Sequence, residues 1–206
     1  MKYLVSKKAN RGGDILVFGN PDLGDSRYDL AFAEKEALDV AKTKSQSKVF
    51  LRKEATLEAF AEHAGSFSYI HLATHGRFDP ESPLKSALLL SPSAGSNGIL
   101  TADKLYSLEL NADLVTLSAC ETGLSKIANG DDLVGLTRGF LYAGSNSIVA
   151  SLWKVDDLAT SQLMARFYRE LDKTNKREAL QAAQLETRKT YAHPYYWASF
   201  QLTGSI

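Results

Sequence analysis

Two short stretches of the chain carry residue types that can make and break acyl bonds. HLATHGRF places His75 and Gly76 just past an apolar run, and LSACETGL places Cys120 at the end of another. A thiol becomes a strong nucleophile as the thiolate. An imidazole facing it can take the thiol proton, or hold the thiolate as an imidazolium. The 45 residues between His75 and Cys120 are ample for a crossover connection. Neighbouring strands run only about 4.8 Å apart, so if these two runs pair, a thiol and an imidazole face one another across a cleft. A lone cysteine in an apolar strand is also a small core hydrophobe, and a lone histidine is also a structural hydrogen-bonding group. Position favours chemistry here, because Glu121-Thr122-Gly123 and then Asn129-Gly130 follow Cys120 and put it at a strand's rim. Gly76 leaves a side-chain-free N–H beside the ring. With the N–H of Cys120 it can point at the oxygen of a tetrahedral intermediate.

A second candidate is SLWKVDDLAT, in which Asp156 and Asp157 stand between Trp153 and a helix. Either aspartate can N-cap that helix and complement its dipole. Alternatively, a carboxylate beside the Trp153 ring, one strand over from the thiol, makes a pocket for an Arg or Lys side chain. Asp131 and Asp132 head another helix and read as caps. His71 and His75 share a strand face but lie about 13 Å apart, too far for one metal ion, and no third ligand is evident. No metal is expected. His63 falls on a solvated helix face and His193 in a turn with Pro194, while Tyr195, Tyr196, Trp197 and Phe200 read as packing for the last strand. The patterns of a phosphate-binding loop, a dinucleotide fingerprint and a serine nucleophile elbow are all missing, so no cofactor is expected.

The elements that must position these groups follow from periodicity. Strands are expected at Ile15 to Gly19, Lys48 to Leu51, Tyr69 to Thr74, Ala87 to Leu90, Leu114 to Ala119, Ser147 to Trp153 and Phe200 to Leu202. Helices are expected at Asp29 to Lys42, from a Thr56 cap through Glu62, from Thr101, at Asp131 to Ala143, at Leu158 to Leu171 and at Lys176 to Tyr191. Arg77 to Lys85 and Ser91 to Gly98 read as loops. Strand-helix-strand repetition implies right-handed crossovers and an α/β fold, an open and mainly parallel sheet with helices on both faces. In such a sheet the site lies beyond the carboxyl ends of the strands.

Composition narrows the partners. The chain has 206 residues, 44% of them apolar, with 24 Lys plus Arg against 24 Asp plus Glu. One domain over 1–206 suffices for that length. With no net charge, neither nucleic acid nor an acidic membrane face is an expected partner. A single cysteine fits a reducing compartment, and the N-terminus has no export signal, so a cytoplasmic protein is expected.

HLATHGRFDPESPLKSALLL, LTADKLYSLEL, ADLVTLSACETGL, GLTRGFLYAGSNSIVASLWKVDD and HPYYWASFQLTG, in this order, together resemble a CHAT domain. The resemblance runs from about Gly19 to Gly204. It implies a caspase-like six-stranded core sheet, shared with caspases, separases, gingipains and clostripain. It also implies a cysteine endopeptidase with His75 as catalytic histidine, Cys120 as nucleophile and the Gly76 and Cys120 N–H groups as oxyanion donors. In separase-like relatives an aspartate in the corresponding stretch binds a basic P1 residue; Asp157 occupies that place, with Asp156 beside it and Trp153 before it. The implied partner is a protein substrate, under control of a tetratricopeptide-repeat or sensor partner, and the family association is with bacterial regulated proteolysis or defence. The family's upstream P-D-G-x-L-H-x-x-P-F hairpin and its repeats are missing from 1–206, so that control is expected to come from elsewhere. Glu121 to Gly130 reads as an activation segment. Two other readings stand beside the peptidase: a catalytically silent interaction module, and a cysteine-dependent hydrolase of small amides or thioesters.

Overall fold

In the first strand, Ile15 and Val17 alternate with Leu16 and Phe18, and all four are fully buried. A strand of this kind needs an apolar layer on each face. The computed structural model describes residues 13–79, 81–118, 120–121, 134–153 and 156–206. Along them run β1 (Asp14–Gly19), α1 (Ala33–Ala41), β2 (Gln46–Leu51), α2 (Leu57–His63), β3 (Tyr69–Ala73), β4 (His75–Arg77), β5 (Ala87–Leu89) and β6 (Ile99–Thr101). There follow α3 (Ala102–Leu105), β7 (Leu114–Leu117), β8 (Cys120–Glu121), α4 (Val134–Ala143), β9 (Ser147–Ser151), α5 (Asp157–Glu170), α6 (Lys176–Thr190) and β10 (Phe200–Gly204). Asp131, Asp132 and the segment 122–130 lie outside the described residues.

Six strands form one sheet in the order β10-β9-β7-β3-β1-β2. β10 is antiparallel to β9, and every other neighbouring pair in it is parallel. Strand alternation divides the core in two. Leu16, Phe18, Ile70, Leu72, Val115, Leu117, Ile148 and Ala150 pack with Phe60 of α2, Leu105 of α3 and Phe140 of α4. On the other face Ile15, Val17, Tyr69, Leu114 and Val149 pack with Val40 of α1, Met164 and Phe167 of α5, and Leu180 of α6. The mainly parallel sheet with helices on both faces is therefore as expected from the sequence.

The amino ends of the parallel strands are stitched together by polar contacts. The Ser68 N–H donates to Asp14 Oδ1 at 2.9 Å, the Asp113 N–H to the Ser68 carbonyl at 2.7 Å, and the Ser147 hydroxyl to the Asp113 carbonyl at 2.7 Å. Lys176 Nζ completes this belt on the Asp113 carboxylate at 2.8 Å.

Two expectations need correction. His75 and Gly76, expected just past a strand end, and Arg77, expected to open a loop, form β4, part of a second sheet in the order β6-β5-β4-β8. The physical reason is the excursion after Arg77, which folds back as a strand, so that β4 pairs antiparallel with β5, while the Thr74 hydroxyl bonds the Leu89 carbonyl at the junction. The first helix starts at Ala33, not at Asp29, because Asn20 Oδ1 takes the Leu30 N–H at 2.9 Å and Asp29 is extended, with ψ 129.

Gly19, the last residue of β1, lies where α1 crosses the sheet. A Cβ there would stand 2.5 Å from the Ala37 Cβ and 2.9 Å from Leu51 Cδ2. Gly19→Ala should therefore push α1 off the sheet and lower unfolding stability by about 1 to 3 kcal/mol in urea titration, as overpacking does. An unchanged midpoint would mean that the helix does not press on β1.

Candidate functional site

The site is built at the carboxyl rim, where the small sheet takes over from the large one. β3 and β7 pair in parallel with Leu72 opposite Leu117, and the Ser118 N–H then donates to the Leu72 carbonyl at 3.0 Å. Just beyond, β4 and β8 pair in parallel with His75 opposite Cys120 and Gly76 opposite Glu121. Register partners in a parallel pair sit on the same face of a sheet. His75 and Cys120 are thus brought together as adjacent residues of adjacent strands.

The His75 ring is buried, with 9% of the residue exposed, and its Nε2 stands 2.7 Å from the Tyr28 carbonyl oxygen. A carbonyl can only accept, so Nε2 must carry the proton and donate it. In the neutral ring the lone pair then lies on Nδ1. That atom is buried and has no hydrogen-bond partner among the described residues. The Tyr28 ring meets the imidazole edge-on, centroids 6.0 Å apart, which limits its rotation. Tyr28 itself ends a short 3-10 turn, Ser26–Tyr28, capped by the Asp25 side chain on the Arg27 N–H. The Arg27 guanidinium bonded to Asp25 holds that carboxyl below its usual range.

The aspartate pair separates into two environments. Asp156 Oδ1 accepts the Ala159 N–H at 2.9 Å and is the N-cap of α5. Asp157 is the first residue of the helix and is partly exposed. Trp153 donates its indole N–H to the Tyr195 carbonyl at 3.1 Å, which fixes the ring against the turn before β10.

The remaining histidines have other duties. His71 Nε2 lies 2.9 Å from Glu36 Oε1, with both side chains out of solvent, and its ring abuts Tyr168. His63 stacks on Phe50 beside Lys48, and His193 accepts the Tyr195 N–H. Sequence reasoning did not find Tyr28, because a backbone carbonyl has no residue-type signature. It also missed Glu36, whose place among the apolar positions of α1 was the available signal.

The family model described as CHAT domain matches residues 2–205. Among curated proteins, tetratricopeptide repeat protein 28 of Mus musculus is 36% identical over 112 residues, which is 52% of this chain and 4% of that protein. The chain thus spans a small fraction of the relative's length. Among solved structures, the chain resembles the Arg-specific cysteine proteinase gingipain R, RgpB of Porphyromonas gingivalis, at TM-score 0.58 and 11% identity, covering 96% of this chain and 47% of that one. It also resembles separase in the separase-securin complex of Saccharomyces cerevisiae, at TM-score 0.57 and 14% identity, over 94% of this chain and 12% of that one. At these identities the likeness is one of fold, and the fold is caspase-like.

The capping assignment has a direct consequence. Asp156→Ala should cost about 1 kcal/mol of stability in urea unfolding, and Asp156→Asn should recover most of it, since asparagine caps equally well. Equal losses for both variants would show that the charge, not the cap, is what position 156 supplies.

Proposed function

The chain belongs to the CHAT domain family, and from that premise and the rim geometry we propose that it is a cysteine endopeptidase working through His75 and Cys120. The observation that carries the reading is the register of β4 on β8, in which His75 and Cys120 are partners while Tyr28 occupies the far nitrogen of the ring. His75 Nδ1 takes the thiol proton, and the Cys120 sulfur bonds to the scissile carbonyl carbon. The resemblance assigns the resulting oxyanion to the N–H groups of Gly76 and Cys120. As the intermediate collapses, the C–N bond breaks and the imidazolium returns the proton to the leaving amine. Water then attacks the thioester, its proton passing to His75. The acid leaves, and the thiol regains its proton.

Asp157 is the carboxylate that the resemblance assigns to a P1 Arg or Lys, and Trp153, whose indole is held on the Tyr195 carbonyl, is assigned as a wall of the same pocket. The name of gingipain R, Arg-specific, supports that assignment. Control by a partner protein is in keeping with the repeat-containing relative and with separase's complex with securin.

Fluorogenic peptides with Arg, Lys or Asp at P1 test this reading, together with a peptidyl acyloxymethyl ketone and intact-mass detection of its adduct. The Arg and Lys peptides should be cut, and Cys120→Ala or His75→Ala should lower kcat by about 10³-fold or more. Asp157→Ala should abolish cleavage of the basic peptides and spare a neutral one. Cleavage that survives Cys120→Ala would end the proposal, and adduct formation without turnover of any peptide would favour the silent interaction module.

A further inference from the structure

Two residues at the same rim have no assigned duty. Asn20 and Arg52 are the non-glycine residues with positive φ among the described residues, at 45° and 51°. An arginine in that region is uncommon, and such strain persists where the surroundings impose it. Asn20 directly follows β1 and Arg52 directly follows β2. These strands are parallel neighbours in which Gly19 is opposite Leu51, so the two turns stand side by side.

Their side chains converge on one segment. Asn20 accepts the Leu30 N–H at 2.9 Å and donates to Glu34 Oε1 at 3.1 Å. Arg52 Nη1 donates to Asp29 Oδ1 at 2.6 Å, and its Nε lies 3.5 Å from the same Glu34 oxygen. Asp29 is the residue after Tyr28, and its N–H donates to the Ser26 carbonyl. Within a trans peptide the C=O and N–H point in opposite directions. Holding the Asp29 N–H on Ser26 therefore directs the Tyr28 carbonyl away from Ser26, toward His75. Arg52 also reaches the other side of the site, because its own carbonyl accepts the Ser91 hydroxyl at 2.5 Å, two residues beyond the β5 strand that pairs with β4.

We propose that Asn20 and Arg52 are positioning residues for His75, clamping Asp29, Leu30 and Glu34 so that the Tyr28 carbonyl keeps the proton on Nε2 and leaves Nδ1 as the base. The inference rests on the cysteine–histidine reading above. It predicts that loosening the clamp, without touching the imidazole, redistributes the ring proton.

Glycine variants fit the test, because Asn20→Gly and Arg52→Gly keep the positive φ and remove only the side chain. Long-range ¹H–¹⁵N spectra of the histidine-labelled protein report which ring nitrogen of His75 is protonated, and iodoacetamide alkylation reports the reactivity of the single cysteine. The wild-type His75 should be the Nε2–H tautomer. Each glycine variant should show a mixture and alkylate more slowly by about tenfold, part of the roughly 10²- to 10⁴-fold that a positioned acid–base group supplies. Arg52→Lys should restore part of the rate, since one ammonium can hold Asp29 without bridging to Glu34. Folded glycine variants with wild-type tautomer and wild-type alkylation would overturn the proposal. Should Arg52→Gly not fold, Asp29→Asn removes the charged partner instead and must give the same two changes. Alkylation unaffected by His75→Ala would defeat the cysteine–histidine reading, and the tautomer measurement would still decide the clamp.

Discussion

The register between β3 and β7 is the constraint on which the rest of the site depends. Leu72 faces Leu117 and His75 faces Cys120, and both pairs are separated by the same 45 residues, so the small sheet inherits the alignment of the large one without a slip. What holds that alignment is the apolar alternation of Ile70, Leu72, Val115 and Leu117, all in one core cluster. Shifting one of these strands by one residue would send its own two of those side chains toward the opposite layer. It would also take Cys120 out of register with His75. The pairing of His75 with Cys120 is thus specified by hydrocarbon burial several residues upstream and needs no contact between the two residues themselves.

The two strand histidines show how environment sorts identical side chains. His71 is fully buried between α1 and α5, where a carboxylate answers its Nε2 and the Tyr168 ring closes its edge. Burial pushes the Tyr168 hydroxyl far up, so it remains a donor, and it gives its proton to Thr116 Oγ1 at 2.8 Å. That network ties α1, β3, α5 and β7 into one layer and offers no route to solvent. His75, four residues on, has a carbonyl partner on one nitrogen and a rim position. Both rings keep an Nδ1 without a partner among the described residues, and what separates them is the partner of Nε2, a buried carboxylate for His71 and a backbone carbonyl at the rim for His75.

Much of this was legible in the sequence, and the parts that were not share a cause. Strand alternation and the carboxyl-end rule were enough to place His75 and Cys120 on neighbouring strands, where they are register partners, and the Thr56 cap is where its residue type put it. β4 and β8 escaped notice because strands of three and two residues carry no periodicity to detect. Asp156 and Asp157 are chemically the same group, and only the position of the Ala159 N–H distinguishes the cap from its neighbour. Tyr28 meets the His75 ring through a backbone carbonyl, and Asn20 reaches Leu30 and Glu34 from a positive-φ turn. Residue type encodes neither a carbonyl's direction nor a turn's φ, so a reading by residue type names His75 and Cys120 as candidates but not the groups around the ring.

Parallel topology also explains why the polar belt and the candidate site occupy opposite ends of the sheet. All the parallel strands begin at one end, and there Asp14, Ser68, Asp113 and Ser147 stitch neighbour to neighbour across β1, β3, β7 and β9. Lys176 anchors α6 to the same belt through a largely buried ion pair with Asp113, and Lys44 bonds Asp172 just past α5. Pairing of this kind is costly to break but neutralises its own charges, and so leaves little field to act elsewhere. The positive-φ turns after β1 and β2, and the His75 Nδ1 without a partner among the described residues, lie at the opposite, carboxyl rim, where such strain persists because the surroundings impose it.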